Sequence, residues 1–219
     1  MGRPLDTNSV CVKIISLPHR NDRRSECLEE LKKIHYPNPS SIFFNAKLTD
    51  SAGQLGCSLS HAMALSEFLF HDERPFVMIF EDDFSLRNEA DFLDKIDRLI
   101  ENSYFWDVYL LGHNEALPIE GTPVADTFRV INSLTTSGYL VGRRYAPNLI
   151  NSFFRSGELM RAYSGLPSPN RELARQFFCS DVLWKELQLE HKFWAGIPSL
   201  ITQRKSHSDI VNKVTDYKV

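Results

Sequence analysis

Apolar residues recur along the chain in two alternating patterns. Short β-branched or continuously apolar runs suit strands, and longer stretches with apolar positions three and four apart suit helices. Residues 10–17 read as a first strand closed by Pro18, and residues 23–34 as a helix carrying Cys27, Leu28, Leu31 and Ile34 on one face. A turn around Pro37 and Pro39 leads to a short strand over 41–46. The next helix is expected to begin near Ser58, with Ser58 or Ser60 as its cap and Leu59, Met63, Ser66 and Leu69 along one side. Residues 75–80 form an apolar run that fits a strand buried on both faces of a parallel sheet. An amphipathic helix over 89–102 follows, built on Phe92, Ile96, Leu99 and Ile100.

The second half continues the alternation. Strands are expected at 107–112, 127–131 and 137–142, the last two around a turn, and helices over 143–154 and after Ser180-Asp181, either of which could cap. Residues 114–126, with two prolines and Gly121, read as a loop at a crevice. Residues 157–176 are the least regular stretch and read as a mobile lid or an acceptor-binding loop. The whole is an α/β chain: one domain over 10–210, with flexible termini at 1–9 and 211–219. Its 219 residues suffice for one substantial core.

Chemistry concentrates at Glu81-Asp82-Asp83, directly after the buried run. In open α/β sheets the ligand crevice lies at the carboxyl ends of the strands, where these acids fall. Adjacent carboxylates repel, and desolvating them unpaired costs several kcal/mol. A hard divalent cation would relieve both costs; a solvated acidic turn is the alternative. The basic stretch His19-Arg20-Asn21-Asp22-Arg23-Arg24 lies between the first strand and the first helix, a position that suits a phosphate or, equally, a solvated surface. It has no glycine-rich fingerprint, which argues against a dinucleotide site or a P-loop. His61, in the expected first helical turn, faces a cleft or serves the core.

Composition narrows the picture. A net charge of −3 gives no general attraction to nucleic acid. The four cysteines are scattered, form no CxxC pair and read as reduced packing thiols. Residues 1–6 show no signal-peptide core, Asp6 breaks the myristoylation pattern, and no apolar run approaches the ~20 residues of a membrane span. A cytoplasmic location, or one peripheral to a membrane, is expected.

Six stretches match one pattern in order. Ile14-Ile15-Ser16-Leu17 with Arg20, Asp22 and Arg23, then Gly56-Cys57-Ser58-Leu59-Ser60-His61, Phe80-Glu81-Asp82-Asp83, Thr136-Ser137-Gly138-Tyr139-Leu140-Val141, Ser180-Asp181-Val182, and Gln203-Arg204 through Ser208-Asp209-Ile210 resemble the motifs of glycosyltransferase family 25. That family includes bacterial lipooligosaccharide and collagen galactosyltransferases. The resemblance implies a GT-A fold with a mixed, mostly parallel sheet, a UDP-sugar donor (most simply UDP-galactose, or UDP-glucose), Mn2+ or Mg2+, and inversion at the anomeric carbon. On that resemblance Asp83 goes to the metal, His207 and Asp209 to the metal or phosphate site, Asp82 to the donor sugar or to the metal as a second ligand, and Leu17, Arg20, Arg23, Ser60, His61, Glu81 (as support), Gly138 and Tyr139 to the donor. Asp181 is the candidate base, and a helix cap explains it equally well. The acceptor would be a glycan or another hydroxyl-bearing molecule. Two other readings stay open: a non-catalytic nucleotide-sugar or glycan-binding module, and a metal-dependent nucleotidyltransferase or phosphohydrolase.

Overall fold

The computed structural model describes residues 4–37, 42–47, 49, 53–167, 170–208 and 213–215. The first half runs β1 (Val10–Ser16), α1 (Asn21–Lys33), β2 (Phe43–Asn45), α2 (Gly53–His71), β3 (Phe76–Glu81), β4 (Phe84–Leu86) and α3 (Glu89–Glu101). The second runs β5 (Val108–Leu110), β6 (Leu117–Gly121), β7 (Thr127–Ile131), β8 (Gly138–Gly142), α4 (Ala146–Ser164), α5 (Asn170–Phe178), α6 (Ser180–Glu190), β9 (Phe193–Gly196) and β10 (Ile201–Gln203). A hairpin of β11 (Ser206–Ser208) and β12 (Lys213–Thr215) follows.

Eight strands form one sheet in the order β2-β1-β3-β8-β5-β9-β7-β6. The pairings make β2, β1, β3, β5, β9 and β6 point one way, with β8 and β7 reversed. This is the mixed, mostly parallel α/β sheet that the sequence leads one to expect. The period of two along β3 explains its position at the centre. Val77 and Ile79 face one helical layer, with Leu65 and Phe68 of α2, Phe153 of α4 and Trp184 of α6. Met78 and Phe80 face the other, with Leu31 of α1 and Phe92, Ile96 and Leu99 of α3. Each of these side chains contributes about 1.5–3 kcal/mol through burial, so the strand that carries the acids is firmly anchored.

Four local expectations are corrected. Helix α2 begins at Gly53, so Ser58 and Ser60 are not caps; their hydroxyls donate within the helix to Gln54 O and Gly56 O. Gly56 is needed there because a Cβ would lie 2.2 Å from Lys47 O. Within 114–126 the chain forms β6, an exposed edge strand on β7, with a register shift between Pro118 and Glu120; proline, lacking an N–H, is tolerated at an edge. Residues 157–176 are largely helical: α4 continues to Ser164 and α5 begins at Asn170. Gly157, inside α4, marks a close helix contact, since a Cβ there would stand 3.0 Å from Leu59 of α2. Finally, β7 and β8 are not neighbours in the sheet, and the chain between them crosses it. No helix among the described residues is long and apolar enough to cross a membrane.

Candidate active site

The end of β3 turns sharply into β4, and that turn holds Asp82 and Asp83, both buried. Three elements grip it. From the first turn of α1, Arg23 Nη1 lies 2.5 Å from Asp82 Oδ1 and 3.7 Å from Asp83 Oδ2. From β10, Gln203 Nε2 donates to Asp83 Oδ1 at 3.1 Å. Just beyond it, Arg204 donates its backbone N–H to Asp83 O and its guanidinium to Asp82 O. Arg204 also pairs with Glu26 of α1, so the C-terminal segment and α1 are tied across the turn.

The acids differ in their surroundings. Burial pushes the Asp83 carboxyl up to about 7, the Glu81 charge adds to this, and Arg23 and the Gln203 hydrogen bond only partly oppose it. Burial alone would raise the Glu81 carboxyl as well. Hydrogen bonds from His61 and Thr136, with the His61 charge, outweigh burial and hold it below its usual range. Thr136 Oγ1 donates to Glu81 Oε1 at 2.8 Å, and His61 Nε2 lies 3.4 Å from the same oxygen. On its other side, His61 Nδ1 is 3.0 Å from the Tyr139 hydroxyl.

A crossing segment delivers Thr136. Trp184 Nε1 and Gln188 Nε2 of α6 both donate to Ser133 O, and Ser133 N donates to Gln188 Oε1. Thus pinned, the segment places Thr135 at a φ of 72°, a strained conformation for a β-branched residue. Its backbone N–H donates to Asp181 Oδ2 at 3.3 Å. Asp181 is not a cap: Cys179 occupies the N-cap of α6, without a side-chain cap bond. Burial pushes the Asp181 carboxyl up against the opposing Thr135 hydrogen bond, and the Glu81 charge adds to the rise.

The remaining expected residues divide into two groups. Leu17 and Arg20 line the β1–α1 turn, where Arg20 N donates to Leu17 O and the Arg20 guanidinium bonds Asp22. Arg23 is turned to the acids rather than held out for a phosphate. Ser60, His61, Gly138 and Tyr139 are buried, with His61 against the Glu81 carboxylate and Tyr139 behind His61. Ser60 Oγ accepts from Lys47 N, and Gly138 packs against Ile201 and Phe80. The structure thus buries all four of these expected donor residues. His207 lies on β11 with its side chain outside the described residues, and Asp209 lies outside them altogether. Sequence reasoning passed over Gln203, Arg204 and Thr136 as site residues, although all three stand in stretches that carry the family resemblance.

The donor set at the turn has the chemistry of a cation site. Gln203 Oε1 is buried without a hydrogen-bond partner, beside a carboxyl group that burial and the Glu81 charge destabilise as an anion. Surplus oxygen acceptors in a shielded turn suit a hard, oxygen-ligated cation, and Asp83 with Gln203 could hold one.

Comparisons with known proteins bear on the identity of this site. No curated protein matches the chain. Among solved structures, a mannose-1-phosphate geranyltransferase from Thermus thermophilus is similar at a TM-score of 0.46 and 9% identity, covering 86% of this chain and 73% of its own. The A197 protein from STIV is similar at 0.48 and 10%, covering 95% and 98%. Likenesses this distant carry no functional weight. Residues 19–117 match the model of glycosyltransferase family 25 (LPS biosynthesis protein). That span holds the basic turn, the Gly-Cys-x-x-Ser-His stretch of α2 and the acidic strand, so the match to family 25 glycosyltransferases rests on the same residues that build the turn at the end of β3.

Proposed function

We propose that this protein is a glycosyltransferase that takes a hexose, galactose or glucose, from a UDP-sugar and transfers it with inversion to a hydroxyl of a glycan or similar acceptor. The observation that carries this is the turn at the end of β3. Glu81, Asp82, Asp83 and the orphaned Gln203 Oε1 converge there, and Arg23 is the partner in every described ion pair of Asp82 and Asp83. Asp83 and Gln203 would hold Mn2+ or Mg2+, with His207 and Asp209 following them in the chain. When bound, the cation stabilises the negative charge of the departing diphosphate.

The chain's own residues account for the rest of the reaction. Arg20 and Leu17, at the N-terminus of α1, frame the nucleotide where the helix dipole favours its phosphates. Glu81 and Asp82 face the sugar, and the His61–Tyr139 pair orients Glu81. Asp181 takes the proton from the acceptor hydroxyl as that oxygen attacks the anomeric carbon opposite the leaving UDP. A buried carboxylate with a raised proton affinity is a better base than a solvated one.

A panel of UDP-sugars with Mn2+ or Mg2+ and hydroxyl-bearing acceptors tests this reading. Sugar transfer from one UDP-hexose is expected. Phosphate release without transfer would point to a phosphohydrolase, and binding without turnover to a non-catalytic module.

A further inference from the structure

Cys57 has no part in the reaction outlined above. It lies four residues before His61 on α2, so both side chains share one face of the helix. The Cys57 sulfur, a His61 ring nitrogen and a Glu81 carboxylate oxygen all lie within 4.8 Å of one another. His61 Nε2 and Glu81 Oε1 are already 3.4 Å apart. Zinc bonds of about 2.0–2.3 Å in a tetrahedron set neighbouring ligand atoms about 3.3–3.7 Å apart, so this pair matches one edge of such a site. The imidazole is fully buried, whereas Cys57 is half-buried and the Glu81 side chain is 24% exposed. Two of the three ligating residues are thus partly open to solvent.

The surroundings of His61 fit a ligand role. Its Nδ1 lies 3.0 Å from the Tyr139 hydroxyl, the kind of outer partner that fixes a ligating ring and leaves Nε2 for the metal. The donor set also differs in kind from that at Asp83. Sulfur and imidazole select a borderline-soft ion, whereas carboxylate and amide oxygens select Mn2+ or Mg2+.

We propose that Cys57, His61 and Glu81 form a site for a zinc-class divalent cation, separate from the oxygen-ligated cation position at Asp83. Binding would release the Cys57 proton to solvent and leave the sulfur as thiolate. The proposal goes beyond the sugar-transfer reading and requires neither donor nor Mn2+, so its failure would leave that reading standing.

The test is a titration of the metal-free full chain with Co2+, in the absence of nucleotide. One equivalent is expected to bind, with a thiolate-to-cobalt charge-transfer band and the intense visible absorption of a tetrahedral ion, both removed by Zn2+. Cys57→Ala should lose the charge-transfer band, and Asp83→Asn should keep it, with circular dichroism confirming that each variant is folded. Cys57→Ser serves as a second variant if Cys57→Ala does not fold. The absence of the band in the wild-type chain would leave the triad a hydrogen-bonded cluster only. A full band in a folded Cys57 variant would assign the ion to another thiol. Either result overturns the proposal.

Discussion

At the scale of single residues, Asp181 shows what a sequence pattern can and cannot say. Ser180-Asp181 before an apolar helix has the form of a cap, yet Cys179 takes the N-cap and the Asp181 carboxylate is held instead by Thr135 N. Only the chain crossing from β7 to β8 brings that donor to it, and no local spacing announces such a contact. Asp181→Asn keeps the volume and removes the basicity. Transfer is expected to fall by ~10²-fold or more, with UDP affinity and melting temperature nearly unchanged. The pH profile gives a second check. A base must be ionised to act, so burial of Asp181 moves the acid limb of the rate profile above the ordinary carboxyl range. The Asn variant should lose that limb. Near-normal turnover in Asp181→Asn would remove this residue from the chemistry. Arg23 teaches a related lesson. Its place in a basic stretch suggested a phosphate, whereas the fold gives its guanidinium to two carboxylates 59 and 60 residues further along.

At the scale of elements, strands and amphipathic helices with strong periodicity were legible, including β1, β3, α3 and β8. Two of the misreadings, the loops expected at 114–126 and 157–176, share one cause: glycine and proline were taken as local punctuation where tertiary contacts decide. Gly157 is accommodated inside α4 because α2 packs against it, and Pro118 inside β6 because that strand lies at the sheet edge. The α6 grip on Ser133 was equally invisible, since Gln188 looks like one more polar position on an exposed helix. In the fold Gln188 is fully buried and bonds both backbone groups of Ser133. Gln188→Leu would strand the Ser133 N–H without a partner, at a cost of about 1–3 kcal/mol. A lower melting temperature is expected, together with slower transfer, because Thr135 and Thr136 are positioned through this contact. Unchanged melting and turnover would show that the crossing segment holds its shape without α6.

At the scale of the whole molecule, the sheet gathers residues from positions 23 to 204 at the carboxyl end of β3. The ordered motifs pointed to that gathering, but the distances and the burial came from topology. The insertion of β8 between β3 and β5 places Tyr139 behind His61, and the pairing of β10 with β4 brings Gln203 and Arg204 to the acidic turn. The central claim is that this turn binds the UDP-sugar through a cation. Calorimetry of UDP binding, with and without Mn2+ and with EDTA as control, tests it most directly on wild type and Asp83→Asn. Asn preserves the volume but is a weaker, neutral ligand, and it relieves the repulsion among the three acids. Wild-type chain should bind UDP only with the cation present, and Asp83→Asn should lose that binding while melting no lower than wild type. If wild-type UDP binding and sugar transfer proceed unchanged in EDTA, the cation assignment is contradicted and the acids must act on the sugar directly.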